Sequence, residues 1–303
     1  MRRRDKNSHE GVLNIDKPSG MTSHDVVDEV RRIVRQRRVG HAGTLDPAAT
    51  GVLLVCLGRA TRLCEYLVPG EKEYRGTLHL GVETDTYDAD GEVVARKDAS
   101  GLDRATVDKA LEAFLGEIDQ RPPAYSAVKR DGVPAYKLAR LGEEVDLPTR
   151  RVKISSIEVI RWKPPDLEIV VRCQAGTYMR SIAHDLGAAL GVGGHLSSLV
   201  RTASGGWRVE DAVTLEDVRQ AVDGAGISTV ARSFDDTLRD LPRIELDDEG
   251  SKAVLCGREI TLDVTLRAPL VSAHNPQGRL IAVLAPASKT RWRPKKAFPP
   301  VLS

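Results

Sequence analysis

The apolar positions along this chain change period several times, and each change marks an element. Residues 52–57, "VLLVCL", form a short uninterrupted apolar run between Gly51 and Gly58, the pattern of a strand buried on both faces. Upstream, "GVLNIDKPSG" (11–20) reads as a strand running into a Lys-Pro turn. The next stretch, "TSHDVVDEVRRIVRQ", pairs Thr22 with Asp25 three residues on, a capping box. Val26, Val27, Val30, Ile33 and Val34 follow at helical spacing. A short helix is predicted over 60–68, and alternation over 74–81 predicts a strand. Val107, Leu111, Phe114, Leu115 and Ile118 predict an amphipathic helix over 103–118. Residues 120–148 are Pro-rich and basic with weak periodicity, the composition of a segment that orders on a partner. Two strands (151–160 and 167–173) joined by "WKPPD" come next, then helices over 177–190 and 214–222. Past residue 240 short strand candidates alternate with Gly and Pro, which places a domain boundary there. Strands and helices mix without a repeating βα unit, so the fold class expected is α+β around a mixed or antiparallel sheet.

Composition changes this picture little. With 303 residues, 41% hydrophobic and 29% charged, the chain suits two domains with a real core. No apolar run reaches membrane-spanning length, and "MRRRDKNSHEG" lacks the apolar segment of a secretory signal, so a cytoplasmic protein without membrane contact is expected. Cys56, Cys64, Cys173 and Cys256 form no CxxC pair, and the seven histidines show no ligand spacing. Reduced thiols and no metal site are the expectation. The acidic loop 83–93 lacks the ligand positions of a calcium loop.

Charge distribution says more than the net +2. Residues 31–38, "RRIVRQRR", carry five arginines and no acid, at the end of the helix and facing the loop that follows. Such a patch suits a polyanion, most simply nucleic acid. The basic segment 288–297 reads by itself as a solvated, disordered tail.

The chemistry concentrates in "HAGTLDPAATG" (41–51), where one carboxylate, Asp46, sits among small and turn-forming residues. Pro47 biases Asp46 toward an extended or turn conformation, and Gly43 and Gly51 permit torsions closed to other residues. Asp46 therefore lies on a tight loop entering the core, as a turn cap or as a reagent.

"RRVGHAGTLDPAATGVLLVCLGRATR" (37–62), "KEYR" (72–75), "TDTYDADG" (84–91), "RPPAYSAVK" (121–129) and "GTYMRSIAHDLG" (176–187) occur in one order and spacing. Together they resemble the bacterial TruB family of tRNA pseudouridine-55 synthases over most of residues 11–205. The resemblance implies a pseudouridine-synthase-like mixed or antiparallel sheet core flanked by helices, with a small C-terminal β-rich PUA-like domain. It divides the chain into a disordered basic arm (1–10), a catalytic domain (11–238) with an RNA-clasping insertion (120–150), a PUA-like RNA-binding domain (240–297) and a tail (298–303). It implies isomerisation of a uridine in the T stem-loop of tRNA without metal or cofactor. Asp46 is the matched catalytic residue, Arg180 its arginine partner, and Tyr74 the aromatic that stacks on the base. Tyr178 matches a site tyrosine, His41 a residue inserted into the RNA, and Leu199 an apolar wall of the uracil pocket.

The residue chemistry agrees. Breaking a glycosidic bond leaves positive charge at C1′, which one ionised carboxylate stabilises or traps. The base departs and returns, so no second acid is demanded. A base inside a folded loop must first be flipped out. Lys17 either supports the site or ends a strand, and Asp85 and Asp88 structure their loop or hold an arginine. The alternative reading is a non-catalytic RNA-binding or tRNA-folding protein on the same scaffold, and a small-molecule glycosidase is a third. With no unexplained apolar helix face, a monomer is expected.

Overall fold

The computed structural model describes residues 9–126, 128–130, 132–143, 145–262 and 268–299. Ten strands form the main sheet. Its path runs Ala231–Arg232, Gly11–Lys17, Thr50–Leu57, Gly194–Ser204, Glu71–Leu80, Asp166–Gln174, Arg150–Lys163, Gly116–Gln120. Val39–Ala42 pairs with Thr50–Leu57, and Trp207–Arg208 with Gly194–Ser204. Every pairing is antiparallel except one: Thr50–Leu57 lies parallel to Gly194–Ser204, with Val200 opposite Thr50 and Arg201 opposite Gly51. This parallel seam joins two antiparallel halves, so the sheet is mixed.

The apolar run 52–57 is buried on both faces. Leu53, Val55 and Leu57 pack with Leu13, Ile15, Val26, Val27 and Val30 under the helix Ser23–Val34. Val52, Leu54 and Cys56 face a second cluster with Trp207, Phe234 and Phe298. In the other half Leu78, Ile169 and Val171 pack against Met179, Ile182 and Leu186 of the helix Met179–Ala189. The capping box predicted at Thr22 is present in full, with Asp25 N–H donating to Thr22 Oγ1 at 3.0 Å and Thr22 N–H to Asp25 Oδ2 at 2.8 Å.

Three expectations are corrected. The arginines ending that helix do not turn to the Asp46 loop. Arg31 binds Asp28 (2.7 Å) and the Val39 carbonyl (2.8 Å), Arg32 pairs with Glu29, and Arg38 donates to Thr61. Acids three positions earlier on the same helix face capture the first two. The helix predicted over 103–118 is Arg104–Glu112, and Gly116–Gln120 is a strand paired with Arg150–Lys163. Gly116, at φ +85°, turns the chain between them and leaves Leu115 exposed. The segment 120–150, whose order the sequence leaves open, contains two short paired strands, Lys129–Arg130 and Val133–Pro134, and the helix Ala135–Arg140. Finally, residues 291–297 are no loose tail: Arg291–Ala297 is a strand, and Trp292 is wholly buried.

That strand belongs to a second sheet, ordered Arg243–Glu245, Val271–His274, Leu280–Pro286, Arg291–Ala297, Ile260–Thr261, with the helix Asp248–Leu255 beside it. Its core is Ile244, Val254, Val271, Ile281, Leu284 and Trp292. Leu280, Val283 and Phe298 dock it onto Phe234, Leu238 and Leu63 of the larger unit. Phe298, assigned to the tail from sequence, meets Phe234 edge-on at 5.4 Å. Residues 9 and 10 of the expected arm are likewise tied down, Glu10 by Arg59 at 2.6 Å and His9 by Gln36 at 2.8 Å. Residues 1–8 and 300–303 lie outside the described residues. Among the described residues no helix is long and apolar enough to cross a membrane, and all four cysteines are free thiols.

Candidate active site

The loop carrying Asp46 leaves the strand Val39–Ala42 and re-enters the sheet at Thr50, beside the parallel seam. Gly43 (φ +89°) and Gly51 (φ +92°) supply the two left-handed torsions that close it. At Gly51 a Cβ would sit 2.3 Å from the Arg201 carbonyl oxygen, so the neighbouring strand permits no side chain.

The loop is bound on every side. Ser23 Oγ accepts from Leu45 N–H (2.9 Å) and donates to the Leu45 carbonyl (3.1 Å). Gly20 N–H and Lys17 Nζ both donate to the Pro47 carbonyl, at 2.9 and 3.0 Å. Ala49 N–H donates to the Asp46 carbonyl at 3.1 Å. From the far side, Arg201 donates to the carbonyls of Val52 (2.7 Å), Gly43 (3.1 Å) and Thr44 (3.4 Å). Asp46 is thus held by its backbone while its side chain stays 43% exposed.

Arg180, on the first turn of Met179–Ala189, faces it from within the protein at 5% exposure. Its Nη2 donates to Asp46 Oδ1 at 3.2 Å. Its Nε lies 2.9 Å from Oδ2, a close charge contact without the alignment of a hydrogen bond. The rest of the guanidinium is occupied: Nη1 donates to the Thr86 carbonyl (3.2 Å) and lies 3.4 Å from Asp88 Oδ2, and Nη2 also donates to the Tyr125 carbonyl (3.0 Å). One buried cation therefore joins the Asp46 loop, the acidic turn around 84–91 and the start of the 120–150 segment.

Burial pushes the Asp46 carboxyl above the usual aspartate range; Arg180 draws it back, Asp88 adds to the rise and Lys17 opposes it. Lys17 is fully buried, and burial lowers its amine to about 8 against the pull of Asp46 and Asp25. Besides Pro47 it donates to the Pro18 carbonyl at 2.8 Å, so it supports the loop as well as ending its strand.

The other sequence candidates divide. Tyr74, on Glu71–Leu80, packs with Leu199 in one cluster. Burial raises its phenol, and both Arg201 and Asp46 act on it electrostatically. Leu199 faces this side, whereas Val200 lines a separate cleft with Lys17, Thr50 and Leu215. His41 lies on a strand, not in the loop. Burial lowers its imidazole, with His24 and Arg201 as the charges that act on it, and its Nδ1 has no hydrogen-bond partner among the described residues. Tyr178 is fixed by two neighbours. Gln120 brackets its backbone at 2.8 and 3.0 Å, and the Arg150 guanidinium stacks on its ring at 4.4 Å. Sequence reasoning missed Arg201, whose strand also carries a histidine, serines and a threonine, so that its charge does not stand out. It also missed the Thr86 and Tyr125 carbonyls, which no side-chain pattern announces.

Comparison with known proteins gives the family of the chain. Residues 31–179 match the TruB family pseudouridylate synthase N-terminal domain, and 180–240 the tRNA pseudouridylate synthase B C-terminal domain. The chain belongs to the TruB family of pseudouridylate synthases. It is 43% identical over 289 residues to tRNA pseudouridine synthase B of Dehalococcoides mccartyi, covering 95% of this chain and 96% of that one. The enzyme of the same name from Streptococcus thermophilus is 42% identical over 295 residues, covering 95% and 98%. Among solved structures, a Cbf5-Nop10-Gar1 complex contains a chain that superposes with a TM-score of 0.76 at 30% identity, covering 99% of this chain and 88% of that one. A chain of an H/ACA RNP bound to a substrate RNA containing 2'-deoxyuridine gives 0.75 at 27%, with the same coverages. This TruB family chain shares the pseudouridine synthase fold with them.

Proposed function

We propose that this chain converts a uridine in the T stem-loop of tRNA, at position 55, into pseudouridine, with Asp46 as the essential carboxylate. The N1–C1′ bond breaks, uracil turns in place, C5 bonds to C1′, the C5 proton leaves and N1 takes up a proton, so atoms balance without a co-reactant. The observation that carries the reading is the Asp46–Arg180 pair. A rigid loop presents a carboxylate half open to solvent, backed by a buried guanidinium that favours its charged form. That is the group needed beside a sugar carbon that becomes electron-poor as its base departs.

The uridine must leave its stack, at a cost of a few kcal/mol. The shared cluster of Tyr74 and Leu199 next to Asp46 supports their roles as stacking partner and apolar wall for the uracil. His41 would enter the gap in the RNA, and Tyr178 would face the substrate from the head of its helix. Residues 11–238 form the catalytic domain, with 120–150 clasping the stem-loop. Residues 240–297 form a PUA-like module whose exposed Arg291, Arg293 and Lys295 alternate along one strand and suit phosphates. Large exposed apolar side chains such as Val94, Leu141 and Ile160 are scattered over separate elements, which supports a monomer. A cytoplasmic site of action follows from the substrate.

The test is release of tritium from C5 of uridine in a tRNA transcript, by the intact protein and by Asp46→Asn. Release by the first and none by the second, with tRNA binding retained, is the expected result. Tight binding without release by either protein would leave a non-catalytic RNA-binding scaffold.

A further inference from the structure

Tyr87 stands at φ +64° in the middle of the acidic turn, a left-handed torsion that a bulky side chain adopts only when its surroundings impose it. What surrounds it is His184. The two rings stack at 3.9 Å between centroids and 22° between planes. His184 is itself fixed, its Nε2 3.3 Å from Glu83 Oε1 and its Nδ1 3.0 Å from Asp185 Oδ1.

Arg180 and His184 lie four residues apart on one helix and therefore on one face, one turn above the other. The same face thus grips the turn twice. Arg180 takes the Thr86 carbonyl and Asp88, and His184 takes the Tyr87 ring and Glu83. The torsion at Tyr87 rotates the peptide unit that contains the Thr86 carbonyl. Were Tyr87 to relax to negative φ, that carbonyl would swing away from Arg180. Thr84 and Thr86 bind Asp88 from inside the turn, at 2.7 Å to its carbonyl and 2.5 Å to its carboxylate. A change at Tyr87 would therefore move Asp88 as well.

We propose that Tyr87 and His184 are positioning residues of the active site: their stack holds the left-handed turn that aims the Thr86 carbonyl and Asp88 at Arg180, and so sets Arg180 against Asp46. The inference rests on the proposed role of Asp46. The charges facing His184 are Glu83 from the adjoining strand and Asp185 from its own helix, and Arg121 is a further charge that acts on Tyr87. Those facing Asp46 are Arg180, Asp88 and Lys17.

Single-turnover tritium release, followed across pH with saturating protein, tests it. Arg180 lowers the Asp46 pKa, and Asp46 must be ionised to act. Loosening Arg180 therefore moves the acid limb of the rate profile to higher pH. His184→Ala is expected to cut the plateau rate roughly tenfold, as a displaced catalytic geometry does, to shift the acid limb upward and to leave tRNA affinity within about twofold. Tyr87→Phe keeps the stack and restores both rate and limb. Tyr87→Ala removes the ring while a Cβ still disfavours the left-handed torsion. It should behave like His184→Ala and stands in for it if that variant fails to fold. An acid limb that stays in place in the stack-deficient variants, whether or not the rate falls, overturns the proposal. Asp46→Asn run alongside separates the two failures: activity in that variant refutes the role of Asp46 itself.

Discussion

Replacing Arg201 with methionine probes how the reactive loop is held. Arg201 is 2% exposed and has no carboxylate ion pair among the described residues. Its charge is balanced by carbonyl dipoles, two at good distance (Val52, 2.7 Å; Gly43, 3.1 Å) and one at the margin (Thr44, 3.4 Å). A hydrogen bond from a charged donor contributes ~1.5–3 kcal/mol net, and the marginal one far less. Methionine removes both good bonds and strands two carbonyls, but it also removes a desolvated cation and fills much of the same volume. The offset leaves a net loss of about 2–3 kcal/mol. The same carbonyls fix the loop on both sides of Asp46, so its carboxylate should drift by a sizeable fraction of an ångström, enough to cost roughly a hundredfold in rate. Urea unfolding at pH 7.5 measures the first effect, read as a lower midpoint at unchanged slope. Single-turnover tritium release measures the second. Arg201→Lys keeps the charge, but its single nitrogen cannot reach three divergent carbonyls, so it should recover stability only in part. An Arg201→Met protein within about 0.5 kcal/mol of the parent and within about threefold of its rate would refute the argument.

Two further outcomes follow from buried groups. Lys72 is 4% exposed, its Nζ has no hydrogen-bond partner among the described residues, and burial lowers its pKa to about 8, with Arg201 adding to the fall. Below pH 8 the folded protein carries a stranded ammonium, whereas between about 8 and 10.4 the unfolded chain binds more protons and stability climbs with pH. Lys72→Met should therefore stabilise by about 1–3 kcal/mol at pH 7, a gain that shrinks toward pH 10; chemical denaturation at the two pH values checks it, and a gain independent of pH would be contrary. Trp292→Ala should cost about 3–5 kcal/mol, because the side chain is wholly buried in the second sheet. A calorimetric scan that showed no loss would mean that the strand Arg291–Ala297 is not packed as described.

Local signals carried the sequence reading furthest. The run 52–57, the Thr22 capping box and the alternation through Leu78 and Leu80 each depend on neighbours a few residues away, and each became the element expected. The reading failed where a distant partner decides. Leu115 suits a helical stripe, but Gly116 and the strand Arg150–Lys163 redirect the chain. Residues 288–297 look solvated by composition, yet Trp292 and the facing strand Leu280–Pro286 make Arg291–Ala297 part of a sheet.

The active site divides in the same way. Asp46 was legible because proline and glycine dictate the shape of its loop from within, and the ordered motifs marked the family. The charge environment was not legible from the residues themselves; the pairing of Arg180 with Asp46 came only from the family resemblance. Arg180 and Asp46 are 134 residues apart, and Arg201 reaches back 149 residues to Val52. On an isolated helix Arg180 would be a solvated side chain. It becomes a buried partner because the acidic turn and the 120–150 segment close over it. Sequence alone determined which groups this protein possesses and the local backbone that carries them. The tertiary structure decided which of those groups lose their water and which charge each then meets, because desolvation and Coulomb energy depend on distance through space rather than along the chain.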